Sequence, residues 1–120
     1  MRVKNLICLL GCLFCHPVLA DIEHLVFLWL KPDANEQVKQ QIIQQSLALA
    51  QLPEVKSVEA GEPLQSDRPI VDDSFDIGVV FRFKDKQTLR QFEQNPVHIE
   101  FVKTQVKPVL AKILIYDIKH

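Results

Sequence analysis

No cysteine lies beyond Cys15 in this chain of 120 residues, and all three (Cys8, Cys12, Cys15) crowd into its apolar beginning. A domain formed from the remainder needs no disulfide and offers no thiol nucleophile. Cys12 and Cys15 are spaced C-x-x-C, which in a folded domain points to redox or metal chemistry. Inside a greasy leading segment the spacing follows from composition alone. Glycine is as scarce, with three residues. No glycine-rich phosphate loop, zinc-ligand spacing or nucleotide fingerprint occurs. An excess of one charge is missing too: 14 basic residues face 15 acidic ones, for a net charge of −1. No basic cluster of the kind that grips nucleic acid is present.

Long apolar runs are also absent. The run from Leu6 to Cys15 is about half of the roughly 20 residues that span a bilayer, so a retained transmembrane anchor is the weaker reading. What the first residues do contain is the order of an export signal. Arg2 and Lys4 precede the apolar run, and His16-Pro17-Val18-Leu19-Ala20 follows it. Val18 and Ala20 supply the small residues before a cleavage point. The expected division is therefore a signal peptide over residues 1–20, cleaved after Ala20, and one domain over residues 21–120. A periplasmic or secreted protein results, with no stable membrane anchor after cleavage. A second processing reading stands beside it. Leu9-Leu10-Gly11-Cys12 loosely resembles a bacterial lipobox, which would acylate Cys12, although Leu10 is bulky where a small residue is usual.

With Arg2 and Lys4 removed, 12 basic residues face 15 acids and the net charge is −3. About 100 residues suffice for one core, but a domain of that size buries only around two-thirds of its unfolded surface. A partner subunit would help.

Ile22 to Leu30 reads as a buried strand. Ile22, Val26, Leu28 and Leu30 point one way with His24, and Leu25, Phe27 and Trp29 point the other. Both faces are apolar, so both require cover. Asp33 and Glu36 form a capping-box pattern for a helix to about Leu52. Val38, Ile42, Ile43, Leu47, Leu49 and Ala50 fill its apolar arc, and Gln37, Gln40, Gln41, Gln44 and Gln51 its solvated side. Pro53 ends it. Val55 to Ala60 reads as a shorter strand, and Leu64 to Ser74 as a loop. Its Asp72-Asp73 pair is an ordinary solvated feature rather than a cation site.

Phe75 to Phe83 is the clearest strand by alternation. Asp85 caps a short helix bearing Leu89 and Phe92, and Asn95 with Pro96 stops it and starts another. That last helix should run to about Lys112, with Pro108 kinking or ending it early. Ile113 to Ile118 closes the chain as a strand. The order is β-α-β-β-α-β, an α+β ferredoxin-like arrangement: a four-stranded antiparallel sheet with helices on one face. The bare face then needs cover, which a second copy packed sheet against sheet would supply.

In these residues the chain resembles the stress-responsive dimeric α/β-barrel (Dabb) domain family, over roughly Ile22 to Ile118. The resemblance is carried by Ile22-Glu23-His24-Leu25-Val26-Phe27, Pro53-Glu54-Val55-Lys56-Ser57-Val58-Glu59 and Phe75-Asp76-Ile77. It continues in Asn95-Pro96-Val97-His98 with Phe101-Val102, and in Lys107-Pro108-Val109-Leu110. It implies a homodimer whose two sheets form a barrel, with a cleft between sheet and helices in each subunit. It implies less about activity: some members are stress proteins, and others look like cofactor-free polyketide cyclases. The first-strand and helical histidines of the family are kept as His24 and His98. Two further positions where members often carry histidine hold Ile77 and Asn95 instead.

His16 belongs to the signal and His120 ends the chain, so His24 and His98 remain as candidate site residues. On the helical wheel His98 is centred in an apolar arc with Val102, Gln105 and Val109, opposite Lys103, Lys107 and Glu100. An imidazole so aimed is either a hydrogen-bonded structural residue or a pocket residue, and the family places both histidines on the cleft. In the first turn of a helix, among apolar neighbours, His98 is disfavoured as imidazolium, and a neutral ring can act as a general base. Tyr116 is the only tyrosine, and Ser46, Ser57, Ser66 and Ser74 sit in no recognisable motif. Two expectations follow. One is a non-catalytic dimeric module, stress-related, holding a small apolar ligand. The other is a cofactor-free and metal-free enzyme, cyclase- or monooxygenase-like, on a small carbonyl or polyketide-like compound, with His98 as base and His24 orienting it or the substrate.

Overall fold

The structure, a computed structural model, describes residues 21–120. The expected signal over residues 1–20, its cleavage after Ala20 and the alternative lipidation of Cys12 lie outside the described residues. Among the described residues no helix is long and apolar enough to cross a membrane.

The first strand, β1 (Ile22–Leu30), has the expected bounds. Helix α1 (Glu36–Ala48) follows and ends in a 3₁₀ turn over Leu49–Gln51. Its cap is Asn35 and not Asp33: the Asn35 side chain accepts from the Val38 amide at 2.9 Å. Pro32 and Asp33 are used in a turn closed by the Ala34 amide on the Lys31 carbonyl, which delays the helix past the spacing Asp33 suggests. The glutamines face solvent as expected, while Ala50 is exposed and Ser46 is buried.

Strand β2 (Ser57–Gly61) starts two residues later than the sequence pattern predicts. Val55 instead closes a turn on the Leu52 carbonyl and joins the core. Strand β3 (Ile77–Phe83) buries Ile77, Val79, Phe81 and Phe83 on one face. Asp85 caps α2 (Lys86–Gln94), accepting from the Thr88 amide and hydroxyl. Asn95 caps α3 (Pro96–Phe101), with Pro96 in the first turn.

The last helix departs from a regular α-helix. It widens into a π turn over Val102–Val106, then tightens into a 3₁₀ turn over Lys107–Val109. Pro108 has no amide to donate, so the chain leaves the helix there. Strand β4 (Leu110–Lys119) therefore begins earlier than Ile113.

The four strands form one antiparallel sheet in the order β2-β3-β1-β4. Packed on its inner face are the helices, around Ile42, Phe83 and Phe92, which are almost fully buried. Each such side chain contributes about 1.5–3 kcal/mol by leaving water. The outer face carries Leu25, Phe27 and Trp29 of β1 opposite Tyr116, Leu114 and Lys112 of β4. Phe75, which the alternation places in the strand, instead lies just before β3 and packs on this outer face against Phe27 and Trp29. Gly78 makes room for it, since a Cβ there would lie 3.3 Å from the Phe75 ring. The loop acids Asp72 and Asp73 are engaged locally, accepting from Ser74 and Ser66 respectively.

Candidate functional site

The register of β1 builds one wall of the site. His24 lies directly opposite Phe81 on β3 and Asp117 on β4. Directly opposed residues of an antiparallel pair share a face, so Asp117 meets His24 on the helix side of the sheet. The His24 Nδ1 and the Asp117 Oδ1 are 2.5 Å apart. A carboxylate accepts, so Nδ1 is the donor. The imidazole is 5% exposed and leans on Phe81 and Phe83, with ring centroids 5.8 and 6.2 Å away.

Helix α3 delivers the second imidazole. Its N-terminus is fixed by Asn95, whose side-chain oxygen accepts from the Val97 amide at 2.9 Å and whose amide nitrogen donates to Glu54 at 2.8 Å. That anchoring seats His98 over Phe92, ring centroids 4.3 Å apart. Its Nδ1 is 3.4 Å from the Glu93 carbonyl oxygen.

Between the sheet and the helices is a cavity of about 260 Å³. Its sheet wall is His24, Val26 and Leu28 of β1, Val79 and Phe81 of β3, and Leu110, Ile113 and Ile115 of β4. The helical wall is Ser46, Leu49, His98, Phe101, Val102 and Val106, with Glu93 and Lys107 completing it. His24 and His98, 74 positions apart, thus converge on one cavity. Phe92 is buried behind His98 and does not line the cavity, and Phe101 lines it without filling it.

Several neighbours differ from the sequence expectation. Lys107 joins the cavity wall and Gln105 lies outside it. The π turn over Val102–Val106 takes an extra residue per turn, so a wheel drawn at 100° slips in phase beyond Phe101. Neither Ile77 nor Asn95 touches the cavity: Ile77 is fully buried in the core, and Asn95 is engaged as a helix cap. Sequence reasoning missed Asp117 and left Ser46 without a role. Only the β1–β4 register reveals the former.

Burial holds His98 below the ordinary imidazole value of 6.5. The Glu93 carbonyl opposes that fall, and the nearby His24 ring adds to it. Because its folded value is depressed, the folded state binds fewer protons than the unfolded chain at mildly acidic pH. This contribution therefore favours unfolding as pH drops below 6.5, and stability rises with pH through the same window. His98→Gln is expected to flatten the fall in urea midpoint between about pH 7 and 5.5. Equal slopes in the two proteins would remove burial of His98 as the cause.

No curated protein matches the chain. Solved structures do. A hydroxynitrile lyase from Passiflora edulis shares 24% identity with a TM-score of 0.75, over 87% of this chain and 95% of the lyase. An Arabidopsis thaliana protein shares 18% at a TM-score of 0.73, over 82% of this chain and 94% of its own. A Dabb family protein with a ferredoxin-like fold from Mesorhizobium loti shares 22% at 0.67, over 82% and 95%. Identities this low establish the shared fold. The family profile described as the stress responsive A/B barrel domain matches residues 22–120, the whole of the sheet-and-helix unit that encloses the two histidines. The chain belongs to the stress responsive A/B barrel domain family.

Proposed function

We propose that this protein works outside the cytoplasm as a homodimer that binds a compact, mostly apolar molecule in the sheet–helix cavity. The observation that carries this reading is the convergence of His24 and His98 on one cavity walled mainly by aliphatic and aromatic side chains. At about 260 Å³ it stands just below the ~300–1,000 Å³ usual for small-molecule sites, so the ligand is compact. The homodimer is supported by the apolar outer face of β1 and β4. Fold relatives from Thermobifida fusca and Bacteroides fragilis are described as dimeric. Export is supported by the order of residues within 1–20, and a stress role by the family's name alone. The mass of the exported protein tests the first: a chain beginning at Asp21 supports it, and a lipid on Cys12 replaces it with anchoring.

Thermal-shift measurement with small aromatic alcohols and aldehydes tests the binding reading. Benzyl alcohol is expected to raise Tm in the wild type, and benzaldehyde to raise it less. In Val102→Trp, which fills the cavity from the helical wall, the ligand-induced shift should vanish while the protein still unfolds cooperatively. Equal ligand shifts in both proteins would place binding elsewhere.

A second reading is favoured by the pairing of His24 with Asp117. Here the protein is a cofactor-free enzyme on a small carbonyl or polyketide-like compound. His98, kept neutral by burial, takes a proton as general base, and His24, fixed by Asp117, orients the substrate. The Passiflora edulis relative is named as a lyase, which supports the fold as a host for chemistry on a small molecule. Under this reading His98→Ala abolishes turnover with little change in Tm. A parallel loss of stability and binding would assign His98 to structure.

A further inference from the structure

We infer that the cavity selects molecules that donate hydrogen bonds, so that its ligand is a compact alcohol or phenol rather than the ether or ketone of the same shape. This rests on the reading of the cavity as a ligand site and adds the chemistry that the site recognises. It follows from where the ring protons must be. The Nδ1 of His24 faces the Asp117 carboxylate and the Nδ1 of His98 faces the Glu93 carbonyl. Both partners only accept, so each Nδ1 carries a hydrogen. A neutral imidazole holds one hydrogen, and its other nitrogen is then a lone-pair acceptor. In the neutral form of either residue that nitrogen is Nε2.

The two Nε2 atoms are also open. Neither has a hydrogen-bond partner among the described residues, and no buried side-chain nitrogen or oxygen there lacks one. Each must therefore reach accessible space. For His24, which is 5% exposed and lines the cavity, that space is the cavity. Ser46 adds a hydroxyl that can donate or accept, so by itself it does not discriminate between the two ligand types and the preference rests on the imidazole nitrogens. This serine is 3% exposed, lines the cavity and makes no side-chain hydrogen bond among the described residues.

The remaining wall is apolar apart from Glu93 and Lys107. Lys107, the single lysine of the wall, is solvent-exposed, where water competes for its protons. A hydroxyl entering the cavity can satisfy an imidazole nitrogen. An ether or ketone displaces water from that nitrogen and returns nothing, and an acceptor left unpaired on desolvation costs more than the hydrogen bond gains. A β-dicarbonyl, whose enol is heavily populated, meets the same rule as its enol, whereas a simple ketone such as cyclohexanone does not.

The test uses matched probes on the exported protein, with Kd read from calorimetric or NMR titration: phenol against anisole and toluene, and cyclohexanol against cyclohexanone. Phenol and cyclohexanol are expected to bind roughly tenfold or more tightly than their partners, and His98→Phe to erase most of that preference while toluene still binds. If toluene and anisole bind as well as phenol, the cavity remains a ligand site and donor selection is overturned. If no probe binds, the ligand-site reading itself fails and takes this inference with it. A preference for phenol that survives in both His98→Phe and His24→Phe also overturns the inference. Should a variant not fold, the wild-type pairs decide alone.

Discussion

Phe27→Asp is expected to turn the proposed homodimer into a monomer while leaving the cavity intact. Phe27 is on the outer face of β1, opposite Gly78 on β3 and Leu114 on β4. Its ring meets Phe75 at 5.0 Å and Tyr116 at 6.4 Å between centroids. Tyr116 and Ile118 are 54% and 43% exposed in the single chain, an apolar strip that water covers poorly. A symmetric interface repeats every change on both subunits. Losing one large apolar side chain costs about 1.5–3 kcal/mol, so two copies cost roughly 3–6 kcal/mol before the buried carboxylates are counted. That corresponds to a dimer Kd weaker by at least a hundredfold. The inner face, with His24, Val26 and Leu28, is untouched because alternate residues of a strand point to opposite faces. Sedimentation of both proteins at micromolar concentration measures the effect. A monomeric wild type, or a variant that remains fully dimeric, would refute the outer face as the interface.

The parts of the fold legible in sequence are those where local chemistry and tertiary packing agree. β1 has the predicted bounds because nine consecutive residues carry two apolar faces between a polar start and Lys31-Pro32. The caps at Asp85 and Asn95 and β3 from Ile77 onward were also readable, since alternation and side-chain capping act over a few residues, although the strand begins two residues after Phe75. The shifts came where a turn competes. Asn35 displaced Asp33 as cap because the Lys31 carbonyl had already closed a turn with Ala34. The π turn at Val102–Val106 has no short-range signature and rotated everything after Phe101.

The site was half legible for a related reason. An imidazole on a buried face of β1 and another on the apolar arc of α3 are both local statements, and their convergence followed once the sheet's inner face was assigned. Asp117 is different. It becomes a partner of His24 only through a pairing across 93 positions, and in the sequence it reads as one acid in the closing strand. Ser46 was hidden by type: a hydroxyl within a helical apolar arc reads as neutral in a wheel, yet its burial places it in the cavity wall.

Removing residues 110–120 is expected to abolish folding outright, the largest effect of any change considered. β4 pairs with β1 along the whole of Ile22 to Leu30. Its loss would strip that edge of backbone partners at positions where the flanking side chains exclude water, and buried backbone groups left unpaired are strongly disfavoured. The same deletion takes Leu110, Ile113 and Ile115 from the cavity and leaves the His24 Nδ1 without its carboxylate. The milder change Asp117→Ala separates these roles, because it keeps every backbone bond and removes only the carboxylate. It is expected to cost about 1–3 kcal/mol for the donor left unsatisfied on a buried ring and to leave a cooperative unfolding transition. Circular dichroism and urea unfolding read both variants. A truncated chain that retains native sheet signal and a cooperative transition would show that β4 is not part of the folding unit. An Asp117→Ala protein as stable as wild type would show that Asp117 does not hold His24 in place.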